Sequence, residues 1–238
     1  MEYRLTAIVL GKRETGETDR LYTFYSREMG KVRAKAVGVR KPTAKLAGQL
    51  ETLSFVGFTL VRSRGLGRVS GVIAEESFLH IRADYDTLRI AIDTLAAFDR
   101  LVGLEEPDAT LFDMLLEYLS LLDGLAEKGE GSRVALISEA FLVRLLDILG
   151  YRIQADACAV SGDRFFSGTR CFFSPEAGGI VAEAHADRHV VPIGENAVKL
   201  LRLFLGNRLT SIGKLRVGER DLAEVTRIRT LFLERVAR

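Results

Sequence analysis

Apolar and polar residues alternate in short runs along the first third of the chain. Tyr3 to Leu10, Arg20 to Tyr25, Lys31 to Val37, Leu53 to Val61 and Arg68 to Ala74 are each rich in β-branched or aromatic residues, the composition of strands. Glycine-bearing or polar stretches separate them as turns: Gly11 to Gly16, Gly30, Arg40 to Ala44, and Gly65 to Gly67. Five strands within residues 1–80 fit a small closed barrel. The OB-fold is the commonest five-stranded solution, with an SH3-like barrel as its competitor.

From Asp84 the period lengthens to that of a helix. Leu88, Ile92, Leu95 and Val102 keep helical spacing, and Gly103 supplies a stop. Leu111 to Leu125 is apolar around most of its circumference, as in a helix surrounded by others. Ser132 to Leu149 follows, with Ser132 placed to cap and Gly150 to terminate. Gly194 to Leu205 and Asp221 to Val236 predict two more helices, the second with Leu222, Val225, Ile228 and Phe232 on one side. The expected class is α+β: an OB-fold barrel over residues 1–80, then a helical domain over 81–238 with an irregular insertion at about 156–192.

Charge separates the two parts further. Residues 1–80 hold 14 Lys and Arg against 8 Asp and Glu, whereas residues 81–238 hold 20 against 24. A basic module joined to a mildly acidic one points to a polyanion partner for the first. In the third strand Lys31, Arg33 and Lys35 alternate with Val32, Ala34 and Ala36. The three cations therefore share one face at intervals of about 6.6 Å. Arg40, Lys41 and Lys45 continue the charge into the next loop, and Arg62, Arg64 and Arg68 flank the Gly65–Gly67 turn. Such a ridge can follow a phosphate backbone without reading its sequence. Charge on an edge strand also protects sheets from aggregation, so the row has a structural reading as well. Among the barrel aromatics, Tyr25 is the candidate to stack on an unpaired base, because its face also carries Thr23.

Other classes find little support. Met1 to Leu10 lacks the pattern of a signal peptide, and no run reaches the roughly 18 uncharged apolar residues of a membrane span. Two cysteines, Cys158 and Cys171, do not make a disulfide framework, so a cytoplasmic, nucleoid-associated location is expected. No phosphate-binding loop of the Gly-rich, Lys-Ser/Thr type is present. His80, His185 and His189 lack a nucleophile-and-carboxylate constellation, so neither a catalytic centre nor a cofactor is expected. Residues 156–189 look like two knuckles in which only Cys158 and His185 are good ligands. Ser161 and Ala182 stand where thiolates belong, and Cys171 falls outside the spacing, so no metal is expected.

Motifs along the whole chain resemble the RecO family of bacterial recombination mediators. The opening Ala7 to Leu21, with Gly11, Arg13, Gly16, Glu17 and Asp19, is similar to that family's first hairpin. Gly30 to Lys41, with Gly38 and Arg40, is similar to its basic strand and loop, and Leu46 to Glu51 to its barrel closure. Cys158, Ser161 and Gly162, then Phe173 to Gly179, look like its zinc finger with ligands lost. The resemblance implies annealing of complementary strands, contact with single- and double-stranded DNA, association with RecR, and help in loading the RecA recombinase. It places DNA contacts on Arg13, Lys31, Arg33, Lys35, Arg40 and Lys41. It also implies that the helical part holds the acidic tail of the single-stranded-DNA-binding protein, for which Lys199 with Arg202, or Arg144, are candidate cations. The alternative from another class is a protein-interaction adaptor whose barrel binds an acidic protein surface.

Overall fold

The computed structural model describes residues 1–41, 48–63, 65–166 and 168–236. The first five strands are β1 (Glu2–Thr15), β2 (Asp19–Ser26), β3 (Gly30–Ala36), β4 (Phe55–Val61) and β5 (Gly67–Glu76). They close into a barrel in the order β1-β2-β3-β5-β4. β1 pairs antiparallel with both β2 and β4, and β3 meets β5 in parallel at Ala34–Gly67 and Lys35–Arg68. This is the OB-fold expected from the strand count. Alternate residues turn inward to a core of Leu5, Ala7, Val9, Tyr22, Phe24, Val32, Ala34, Val56, Phe58 and Leu60.

One boundary differs usefully from the expected one. Gly11 to Gly16 is not the first turn, because β1 runs on to Thr15 past a shift in register between Val9 and Gly11. A bulge inserts one residue and bends the strand. It carries Arg13 into register with Leu21 of β2, on the outer face of the barrel.

The chain falls into two compact units, Met1–Val134 and Ala135–Arg238. The first adds α1 (Leu79–Ala83), α2 (Tyr85–Leu101) and α3 (Ala109–Glu127) to the barrel. Asp84 caps α2 by accepting from the Thr87 amide, satisfying a donor the first turn leaves open. Beyond α2 the chain returns to the barrel. Leu104 forms a parallel bridge with Lys31, and the Glu105 amide donates to the Lys31 carbonyl at 2.9 Å. Gly30 makes this approach possible. It sits at φ +65°, and a Cβ there would lie 2.2 Å from the Glu106 carbonyl oxygen.

α4 (Gly131–Ile148) begins at the end of the first unit, and Ser132 lies inside it, not at its cap. The second unit also holds α5 (Glu195–Gly206), α6 (Leu209–Ile212) and α7 (Glu219–Val236). The segment expected to be irregular contains a three-stranded sheet of β6 (Cys171–Ser174), β7 (Gly179–Ala182) and β8 (Val191–Ile193), in the order β7-β6-β8. Its strands of three or four residues are too short to display an alternating period. Phe173 of β6 meets Phe232 of α7 edge-on at 6.4 Å, and Leu201, Phe204, Val225 and Ile228 are buried in the same unit. Arg229 grips Glu139 through two hydrogen bonds of 2.6 and 2.9 Å.

Candidate nucleic-acid interface

The outer face of β2 and β3 has two ends with different fates. At one end Tyr25 is in register with Lys31, and at the other Leu21 is in register with Lys35. The helix α2 covers the first end. Phe98 packs edge-on against Tyr25 at 4.9 Å, and Lys31 Nζ donates to the Asp99 carbonyl and lies 3.3 Å from its carboxylate. A cation at the carbonyl end of a helix is favourably placed. Both residues leave solvent as a result: Lys31 is 6% exposed and Tyr25 fully buried. Burial pushes the Tyr25 phenol up to about 12. Two expectations are therefore corrected. Lys31 belongs to the strand's outward set, as its alternation requires, but a helix end covers that position, so it does not belong to a polyanion ridge. Tyr25 presents no face to a base.

The other end is open. Arg13, Leu21, Lys35 and Arg68 lie side by side across β1, β2, β3 and β5. Arg33 is two residues further along β3 on the same face, opposite Thr23. Arg13, Arg33, Lys41 and Arg68 are exposed and form no ion pair among the described residues. Lys35 binds Asp19 at 2.7 Å. The Asp19 carboxyl is lowered by that hydrogen bond and then by the Gly38 amide, so it stays ionised. Arg62 binds Glu105 at 2.7 Å. Both pairs keep part of their surface in solvent, where an ion pair adds little stability, so a phosphate can take over the cation.

Arg40 departs from the expected continuation of the row. Its guanidinium meets Glu14 at 3.2 Å and the Glu17 carbonyl. Glu14 and Arg13 are neighbours on β1 and face opposite ways, so Arg40 sits on the far side of the hairpin from Arg13. The chain turns after β3, with the Arg40 amide donating to Thr18, and this carries the charge away from the ridge. Lys45 and Arg64 lie outside the described residues.

Three of these cations converge on one place. Arg13 from β1, Arg33 from β3 and Arg62 after β4 line a shallow pocket of about 260 Å³ together with Leu21, Leu66 and Leu104. Glu105 is its single acid among the described residues. Three guanidinium groups from separate segments around an apolar floor suit a strand with phosphates on one side and bases on the other. Leu66, Leu104 and Glu105 carry no signal in the sequence. Leu66 looks like one residue of a glycine turn and Leu104 like a residue just past a helix stop, and only the closed barrel brings them together.

The comparisons with known proteins agree with this architecture. Residues 1–78 match the model for Recombination protein O N terminal, and residues 82–237 match Recombination protein O C terminal. The chain is 30% identical over 237 residues to the DNA repair protein RecO of Desulfitobacterium hafniense (strain DSM 10664 / DCB-2), covering 98% of this chain and 84% of the relative. It is 35% identical to that of Heliobacterium modesticaldum over 95% and 82% of the two chains, and 31% identical to that of Roseiflexus sp. over 98% and 81%. The chain belongs to the RecO family.

The resemblance to RecO proteins implies a zinc finger, and the residues here do not fit one. Cys158 Sγ lies 3.7 Å from His185 Nδ1, so one sulfur and one nitrogen do converge. The other two knuckle positions carry Ser161 and Ala182, which do not supply the thiolate or imidazole donors of a four-coordinate structural zinc site. Among the described residues no group of three or more His, Cys, Asp or Glu could hold a metal. The knuckle nevertheless retains its hydrogen bonds. Burial would raise the Cys158 thiol, but the Ser161 amide and hydroxyl and the amides of Ala182 and Val160 outweigh it and bring the thiol to about 6. Across the described residues of this RecO-family chain, no helix is long and apolar enough to cross a membrane.

Proposed function

We propose that this chain is a DNA repair and recombination mediator that binds and anneals single-stranded DNA, working without a catalytic centre. With RecR it would help load the RecA recombinase onto DNA coated by single-stranded-DNA-binding protein. The observation that carries the DNA-binding part is the convergence of Arg13, Arg33 and Arg62, with Arg68 and Lys35 alongside, on the open end of an OB-fold. Strands 2 and 3 and the loop between strands 4 and 5 are where OB-folds bind oligonucleotides. Membership of a family whose relatives carry the name DNA repair protein supports the biological setting.

The tail of the single-stranded-DNA-binding protein calls for an apolar pocket beside cations. Lys199, Leu200, Leu203, Leu215 and Arg216 line a depression of about 290 Å³ that matches this chemistry, whereas Arg202, the cation expected beside Lys199, does not line it and donates to the Ala155 carbonyl. Arg144 is the poorer candidate, because its guanidinium donates to the Asn207 carbonyl. Annealing of complementary oligonucleotides, bare and coated with their binding protein, tests the proposal. Acceleration without nucleotide or metal is expected, together with its loss in Arg13→Glu, Arg33→Glu, Arg62→Glu combined. An adaptor that binds only acidic proteins would leave annealing at the spontaneous rate and give no anisotropy change with single-stranded DNA.

A further inference from the structure

A phosphate ridge has no need of an apolar floor, yet the arginine pocket has one. Leu66 and Leu104 are 61% and 51% exposed and line the same pocket as Leu21, which lies buried beneath them at 7%. Single exposed leucines need no explanation, but two that line one pocket with three guanidiniums form an amphipathic site. The pocket is supported from below and from the side. Leu21 is held in β2 between Arg13 and Lys35 by strand register. Leu104 and Glu105 are fixed to β3 through the Lys31 bridge and amide, and the close approach at Gly30 keeps them there. Glu105 adopts φ +59°, a costly conformation for a non-glycine residue, with its carboxylate on Arg62.

Of the chemical classes that combine an anion with a flat apolar body, an unstacked nucleotide fits this lining. Phosphate oxygens would meet Arg13, Arg33 and Arg62, and the base would lie against Leu66 and Leu104. The pocket is too small for a drug-sized ligand but has the scale of one base. The base of a paired strand is turned away into the duplex and is out of reach. Resting on the DNA-binding reading above, we infer that this pocket receives a single unstacked nucleotide, with Glu105 holding Arg62 until a phosphate replaces it. The site therefore distinguishes unpaired from paired strands by contact with a base and not by charge alone.

The test uses the full chain and three labelled probes of equal length: oligothymidylate, an abasic deoxyribose-phosphate oligomer, and a duplex. Leu66→Ser and Leu104→Ser change exposed side chains and leave every arginine in place. The wild-type protein should bind oligothymidylate about five- to tenfold more tightly than the abasic oligomer, the scale of one base contact. The double variant should lose that advantage and keep wild-type affinity for the abasic oligomer and the duplex. Equal affinity of wild type and variant for oligothymidylate overturns the inference, as does an equal loss on all three probes. The Arg13, Arg33 and Arg62 variant separates the two failures: if it still loses binding to every probe, the DNA-binding reading stands and only the base pocket falls.

Discussion

The two ends of the β2–β3 face carry the same alternation yet differ in what lies over them. At one, Lys31 and Tyr25 are covered by the terminus of α2, and the cation serves the fold. At the other, Arg33 and Lys35 remain on the surface beside Arg13 and Arg68, and the cations are available to a partner. Strand parity says which way a side chain points. It does not say whether solvent or another element waits there.

The largest effect should come from forcing the covered end open. Gly30→Ala places a Cβ against the Glu106 carbonyl at a positive φ, and should cost about 3 kcal/mol of stability in urea unfolding. Lys31→Ala removes a shielded cation from Asp99 and should cost about 2 kcal/mol. In contrast, Arg33→Ala should leave the unfolding midpoint unchanged while weakening DNA binding. If Lys31→Ala and Arg33→Ala behaved alike in both assays, the distinction between the two ends would be lost.

Smaller effects sharpen the same contrast. Glu105→Gln removes the one acid from the arginine pocket and should tighten single-strand binding a few-fold at low salt, as read by anisotropy. Asp19→Asn should release Lys35 while keeping an oxygen to accept from the Gly38 amide, with a smaller gain. The smallest effect is on the first unit's helices, where His80 Nδ1 lies 2.9 Å from Asp123. Asp123's hydrogen bond, the largest cause, raises the His80 pKa above its ordinary value. A raised folded pKa means the contribution is fully present below the unfolded value, about 6.5. It is lost as pH rises through the higher folded value. The stability difference between the wild type and His80→Asn should therefore shrink from acid to mildly alkaline pH.

The chain reveals its architecture more readily than its surface. The five barrel strands and the long helices announce themselves by period, because one face of each is buried and must be apolar. The short sheet β7-β6-β8 and helices α1 and α6 are three to five residues long, below the length at which a period exists. For the site, Arg13, Arg33, Lys35, Arg62 and Arg68 are legible as cations on strands or beside turns. That Arg40 swings to Glu14, and that Leu104 and Glu105 return to β3, depends on chain closure across many residues. No local pattern encodes that. The finger shows the converse: the identities of Cys158, Ser161, Ala182 and His185 are enough to argue against zinc, although the fold still brings the four positions together.

In the proposed function the open end of the barrel grips phosphates through Arg13, Arg33 and Arg62. Its most direct test is the salt dependence of single-stranded oligonucleotide binding for the wild type and for Arg13→Ala, Arg33→Ala, Arg62→Ala combined. Each arginine–phosphate pair removed should flatten the plot of log affinity against log salt by about 0.7, so the slope of the triple variant should be shallower by about 2. Parallel lines of equal affinity for the two proteins would place the strand elsewhere on the molecule and rule out this arginine site.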